Sequence, residues 1–173
     1  MLRKILHHFK RIYYSLGGGN NHIQGLPIIY RLKSLVINGE NNSIVTNSKL
    51  PIKVRIVVSG NDHKLIINEG VSITEGTIWF EDRSNEIRIG SLTTIGEAHL
   101  AVAEYGTKLI IGSDCMISKN VRVATTDSHS VVDINTGDRI NPAKDICIGN
   151  HVWLGYSSNV NKGVNIGDGS IIA

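Results

Sequence analysis

Aromatic residues make up only 5% of the 173-residue chain, and it holds just 3 prolines and 2 cysteines. Two cysteines, Cys115 and Cys147, build no disulfide framework, which fits a reducing compartment. No apolar run approaches the roughly 18 residues that span a bilayer. The basic N-terminus lacks the long apolar segment and small-residue cleavage site of a secretory leader, so a cytoplasmic location is expected. Acids are missing early: Arg3, Lys4, Lys10, Arg11, Arg31 and Lys33 all precede the first one, Glu40. The net charge is still only +3. With few aromatics and no base-reading motif, nucleic acid is not an expected partner. Charged residues at 19% beside 41% hydrophobic ones indicate a folded domain rather than a disordered chain.

What is abundant is strand and turn chemistry. The chain has 26 Ile and 14 Val against 12 Leu and 6 Ala, with 18 Gly and 16 Asn. β-Branched residues favour strands, and Gly and Asn favour tight turns. Many short strands are therefore expected.

The aliphatics are periodic. Ile148, Leu154, Val160, Ile166 and Ile172 recur every six residues, and Gly149, Gly155 and Gly167 follow three of them directly. Small or medium residues, Val152, Ser158, Val164 and Ser170, sit four positions after the first four. The rule extends back through Ile111, Ile117 and Val123, through Ile89 and Ile95, and through Ile67, Ile73 and Trp79. A longer period is superposed: Leu65-Ile66-Ile67-Asn68, Ile87-Arg88-Ile89-Gly90, Leu109-Ile110-Ile111-Gly112 and Ile146-Cys147-Ile148-Gly149 look like one element recurring. Each of the first three follows a polar turn such as Gly60-Asn61-Asp62-His63. Three six-residue units plus turn residues make a coil of about 18 to 22 residues, and single coils must stack to bury an inner face. The spacing predicts a prismatic parallel β-helix; it does not set the handedness.

One copy breaks the period. Ile111 to Ile148 spans 37 residues, where Ile67 to Ile89 and Ile89 to Ile111 each span 22. The excess falls after Val123, in a polar segment over residues 124–145 that holds Asp127, His129, Asp133, Asp138, Arg139, Asn141 and Lys144. A long loop thrown from a rigid scaffold is a usual seat of function.

The hexapeptide run and the extruded loop with its single histidine resemble the hexapeptide-repeat acyltransferases. The stretches Thr126-Asp127-Ser128-His129-Ser130, Arg139-Ile140-Asn141-Pro142 and Gly149-Asn150-His151-Val152-Trp153-Leu154-Gly155 are similar to those of bacterial sugar and capsule O-acetyltransferases, with the polysialic acid O-acetyltransferase branch the nearest. The resemblance implies an all-β, left-handed parallel β-helix that takes acetyl-CoA as donor and a carbohydrate hydroxyl as acceptor, with no metal. It implies a homotrimer with active sites between subunits. It places the loop histidine of the family at His129 and its strand tryptophan at Trp153, and it puts the backbone of Gly155 and Tyr156 along the CoA channel. Relatives usually continue with another coil beyond the position of Ala173, which adds CoA contacts.

The chemistry agrees. Acetyl transfer needs a base near neutral pH, and imidazole titrates near 6.5. A backbone N–H is expected to stabilise the oxyanion. Asp127 or Asp133 is the candidate to orient the ring, and the sequence does not choose between them. His99, in a nominally inward slot, is a core or turn histidine or an acceptor contact, and Arg139 and Asn141 are further candidates for acceptor binding. Cys115 fills a small inward slot, Cys147 should point outward, and His151 reads as a turn residue. His99, His129 and His151 lack the spacing of a zinc site of the carbonic anhydrase kind. Transfer to an amine, or a non-catalytic scaffold, are the competing readings.

Residues 1–33 read as a separate N-terminal unit ahead of a β-helix domain over residues 34–173. Leu2, Ile5, Leu6, Phe9, Ile12, Tyr13 and Leu16 fall at helical spacing with basic residues between them, and Gly17-Gly18-Gly19 ends the pattern. A basic amphipathic helix over residues 1–16 either caps the first coil or touches an anionic membrane surface.

Overall fold

The computed structural model describes residues 12–14 and 16–173. The amphipathic helix expected over residues 1–16 falls almost wholly outside the described residues. The described chain is nearly all strand: β1 His22–Gln24, then a short helix α1 Ile28–Ser34, β2 Leu35–Asn38, β3 Ser43–Thr46, β4 Arg55–Asn61, β5 Lys64–Ile67, β6 Ser72–Arg83 and β7 Glu86–Ile89. There follow β8 Thr94–Val102, β9 Lys108–Ile111, β10 Met116–Ile117, β11 Val121–Ala124, β12 Ile146–Ile148, β13 Trp153–Leu154, β14 Asn159–Asn161, β15 Asn165–Ile166 and β16 Ile171–Ile172.

These strands wind into a left-handed parallel β-helix of about 7 turns. One face is the seven-stranded ladder β1-β3-β5-β7-β9-β12-β15. The other two faces are continuous through β6 and β8, which bend around the corner between them. Thr94 and Ile95 of β8 pair with β10, while Ala98–Ala101 pair with β11. On the first face His22 stacks on Ser43 and Ser43 on Lys64, 21 residues apart each time. Lys64 stacks on Glu86 and Glu86 on Lys108, 22 apart, and Cys147 on Asn165, 18 apart. The ladder thus includes β1, N-terminal to residue 34.

Stacking puts like on like. Ile44, Leu65, Ile87, Leu109 and Ile146 form one interior column, and Ile67, Ile89, Ile111 and Ile148 form the next. All of them are buried. Burying such a side chain stabilises by about 1.5–3 kcal/mol, which is why the coils hold together without a wide core. Cys115 is inside and Cys147 outside, as the spacing predicts.

The count of six fails at one corner. It places Trp79 and His99 inward, whereas the buried residues are Ile78, Phe80, Ala98 and Leu100. The cause is backbone geometry. The corner between the second and third faces is one residue shorter here: the three steps from Ile95 to Ala98 stack on four from Ile117 to Val121, so the in–out phase slips by one residue, and in β6 this bend is made at Gly76, with φ +131. Its Cβ would lie 2.0 Å from the Ala98 carbonyl oxygen of the next coil, so only glycine fits.

A polar column fills another inner corner. Asn21, Asn42, His63, Asn85 and Thr107 are buried, each directly before a first-face strand. Each of the first four side chains accepts a backbone N–H from the next coil. Asn21 Oδ1 accepts from Asn42 at 2.9 Å, Asn42 Oδ1 from His63 at 2.9 Å, His63 Nδ1 from Asn85 at 3.3 Å and Asn85 Oδ1 from Thr107 at 2.9 Å. The Asn85 amide also donates to the Glu81 carbonyl at 2.6 Å. Among the described residues the His63 Nε2 has no hydrogen-bond partner, and its ring packs 5.2 Å from Phe80.

Two outcomes follow for stability. Asn85→Ala strips the buried Thr107 N–H of its partner and removes the donor to the Glu81 carbonyl, so chemical denaturation should show a loss of about 2 kcal/mol. His63 has its pKa lowered by burial, which outweighs the Ser59 and Asp82 carbonyls and the Asp62 and Asp82 charges. The unfolded chain therefore binds the extra proton first. Stability should be full above the ordinary imidazole pKa of about 6.5 and fall as the pH drops through it. In His63→Asn, which keeps an acceptor in the column, melting between about pH 7 and pH 5 should lose most of that slope.

Candidate active site

The long coil leaves the prism after β11 and returns at β12. Thr125 and Thr126 are the last buried residues before departure: Thr125 Oγ1 meets that of Thr107 at 3.2 Å and accepts the Ala103 N–H. Thr126 Oγ1 then accepts the Ser128 N–H at 3.2 Å, and Ser128 adopts φ +65. This tight turn presents His129, which is exposed. Among the described residues the imidazole makes no hydrogen bond and no ion pair. It stands at the rim of a polar cleft of about 200 Å³ lined by Glu81, Asp82, Glu104, Ser128 and Arg139.

Asn141, Asp127 and Lys162 hold this turn. Asn141 donates from Nδ2 to the His129 carbonyl at 2.8 Å and to Asp127 Oδ2 at 2.9 Å, and its Oδ1 accepts the Val131 N–H. Asp127 also pairs with Lys162 at 2.5 Å, and Lys162 donates to the Asn141 carbonyl at 2.8 Å. The Lys162 ammonium and the Asn141 amide hold the Asp127 carboxyl below its ordinary pKa. Asp133 closes a turn further out, accepting the N–H groups of Asn135 and Thr136. Neither carboxylate bonds to the imidazole. Asp127 reaches His129 only through Asn141, and Asp133 not at all.

Glu104 was not legible as a site residue. It accepts from the Arg139 guanidinium, from the Ala143 N–H at 3.0 Å and from Thr126 Oγ1 at 3.1 Å, tying both ends of the loop to the coil beneath. Burial opposes its ionisation, and these donors outweigh burial, so its pKa is lowered. Lys162, from the following coil, was missed as well. The only signal was their place in turns that stack against the loop's base.

The remaining candidates lie elsewhere. Trp153 is exposed on the second face, stacked between Met116 and Ile171. With Met116, Thr94, Ser118 and Ser72 it lines an open groove of about 510 Å³. That groove shares no lining residue with the His129 cleft. Gly155 is buried and its N–H is bonded to the Ile172 carbonyl at 2.6 Å; Tyr156 beside it is exposed. His99 stacks between Thr77 and Arg122 on the third face, pointing outward rather than inward. Partial shielding there, and then the Arg122 charge, lower its pKa. Arg139 and Asn141, expected at the acceptor, have their polar atoms committed to the loop itself. His151 pairs with Asp114 in a turn at 2.9 Å.

No family model matches the chain. It is 34% identical over 152 residues to the polysialic acid O-acetyltransferase of Neisseria meningitidis, spanning 87% of this chain and 70% of that one. It is 38% identical over 81 residues to the polysialic acid O-acetyltransferase of Escherichia coli O1:K1, spanning 47% of this chain and 26% of the relative. Among solved structures, the polysialic acid O-acetyltransferase OatWY superposes with a TM-score of 0.73 at 29% identity, over 89% of this chain and 73% of that one. The polySia-specific acetyltransferase NeuO superposes with a TM-score of 0.61 at 31% identity, over 81% and 78%. Coil architecture and overall identity agree, and the chain belongs to the hexapeptide-repeat O-acetyltransferases, an acyltransferase built on a left-handed β-helix.

Proposed function

We propose that the chain moves an acetyl group from acetyl-CoA to a hydroxyl of a capsular polysaccharide, with His129 as general base. The observation that carries this is the uncommitted imidazole of His129 on a turn braced by Asp127, Asn141 and Lys162. The relatives act, by their names, on polysialic acid, and the same acceptor class is assigned to this chain. In the reaction an imidazole nitrogen takes the hydroxyl proton as the sugar oxygen attacks the thioester carbonyl. The tetrahedral intermediate collapses, the CoA thiolate leaves, and the imidazolium returns the proton to it.

Asp127 is a positioning residue that acts through Asn141 on the His129 carbonyl, and Arg139 serves the same end through Glu104. His99, beside Arg122, remains the acceptor contact outside the loop. Trp153, Gly155 and Tyr156 form the donor wall, supplied to the His129 cleft by a neighbouring subunit of a homotrimer. Their separation from His129 within one chain supports that assignment. The reaction takes place in the cytoplasm, with residues 1–16 touching the inner face of the membrane. Among the described residues no helix is long and apolar enough to cross one.

Transfer of radiolabelled acetyl from acetyl-CoA to polysialic acid and to other capsular polysaccharides tests the reading. His129→Ala should lower kcat by about 10²-fold or more with its melting temperature unchanged. Near wild-type turnover would remove His129 from the mechanism. Asp127→Asn should cost less, about tenfold in kcat with little change in KM, since only the hold on the turn is weakened.

A further inference from the structure

The charges are unevenly placed along the solenoid. Residues 1–61 carry nine Lys and Arg but one acid, Glu40, whereas residues 62–173 carry nine Lys and Arg and fourteen acids. Among the described residues, 16–61 hold five of these bases against the one acid, and coils stack in chain order, so the N-terminal coils are cationic and the rest is anionic.

The cationic end also exposes aliphatic side chains. In the first coil α1 takes the place of a strand on the second face. Ile28 and Ile29, in its first turn, are 62% and 69% exposed, and Leu50, on the adjacent corner, is 48% exposed. Pro27 and Tyr30 of one segment and Lys49, Leu50 and Pro51 of the other flank a common groove of about 320 Å³. Lys33, one helical turn beyond Ile29, and Lys49 and Lys53 are exposed. The one acid of this end, Glu40, sits on another corner, where its N–H bonds to Asn61.

We infer that this end of the solenoid docks on an anionic lipid bilayer, with Ile28, Ile29 and Leu50 entering the headgroup boundary and Lys33, Lys49 and Lys53 meeting the anionic headgroups. Aliphatic tips amid lysines are the chemistry of interfacial anchors. A sugar chain is a poorer match for the patch, because the Tyr30 hydroxyl, its one aromatic polar handle, is committed to the Val54 carbonyl. Each basic residue near an anionic surface adds about fivefold in affinity. The surface is built from residues 27–53, none of them in the segment 1–16.

Flotation of the full chain with phosphatidylcholine vesicles, with and without about one quarter phosphatidylglycerol, tests the inference. Binding should be about tenfold stronger with the anionic lipid and should fall steeply in about 0.5 M salt, where charges are screened within a few ångströms. Ile28→Ser with Ile29→Ser, both exposed, should keep the wild-type melting temperature and lose about tenfold in vesicle binding. Lys49→Glu with Lys53→Glu should do the same for anionic vesicles alone. Vesicle binding unchanged in both variants would assign any membrane contact to residues 1–16 and overturn the inference, as would absence of binding by the wild type. A change of oligomeric state in the isoleucine variant, with vesicle binding intact, would make the patch a subunit contact and overturn it as well.

Discussion

A prism of short strands is too narrow to leave any turn amide unanswered, and this constraint governs the molecule. Each coil turns a corner where backbone N–H groups face inward, away from water. Asn21, Asn42, His63 and Asn85 solve the problem by one device, a side-chain acceptor held under the next coil's amide. The interaction is repeated rather than varied, so coil length is held near 21 or 22 residues wherever the column runs. A residue inserted in a coil there would lift its acceptor away from the amide above and leave both groups buried without partners, the costly case for a hydrogen bond.

Where the column ends, the loop begins. Thr107 and Thr125 close it with hydroxyls that satisfy each other and the local carbonyl and amide. Past Thr125 the chain is free to leave. It then needs other anchors, and the two that hold it are charged: Glu104 beneath Arg139 and Ala143, and Lys162 beneath Asp127. Both lie at the base of the loop and on coils to either side of it. The backbone of His129 is thus set by the coil before and the coil after its own, while its ring is left uncommitted.

Much of the scaffold was legible because burial repeats. The columns under Ile148 and Leu154 follow from spacing alone, and so do the opposite fates of Cys115 and Cys147. The excess length after Val123 identified the one coil that departs. Spacing failed where the period is carried by backbone rather than side chain. The corner in β6 and β8 is one residue shorter than the one between β10 and β11, and Trp79 and His99 therefore face outward against the count of six. The column itself was not legible, because with His63 and Thr107 beside Asn21, Asn42 and Asn85 its members share no single residue type. In the loop, the position of His129 was readable and its supports were not. Glu104 and Lys162 precede and follow the loop by a whole coil, a separation at which ion pairs leave no local pattern. Asn141 and Arg139 were legible as polar loop residues, yet whether such groups face a ligand or their own backbone depends on a fold that local sequence does not describe.

The loop also closes on itself. Val132 and Arg139 form an antiparallel bridge, and Asn141 spans the neck by bonding Asp127, Val131 and the His129 carbonyl. The tip beyond that neck, with Val131, Val132, Ile134 and Ile140 turned outward, touches none of the hydrogen bonds that hold the coils in register. Its residues can be exchanged, lengthened or shortened with little cost to the solenoid. The loop tip can thus be revised one substitution at a time, while the prism keeps the histidine turn where it is.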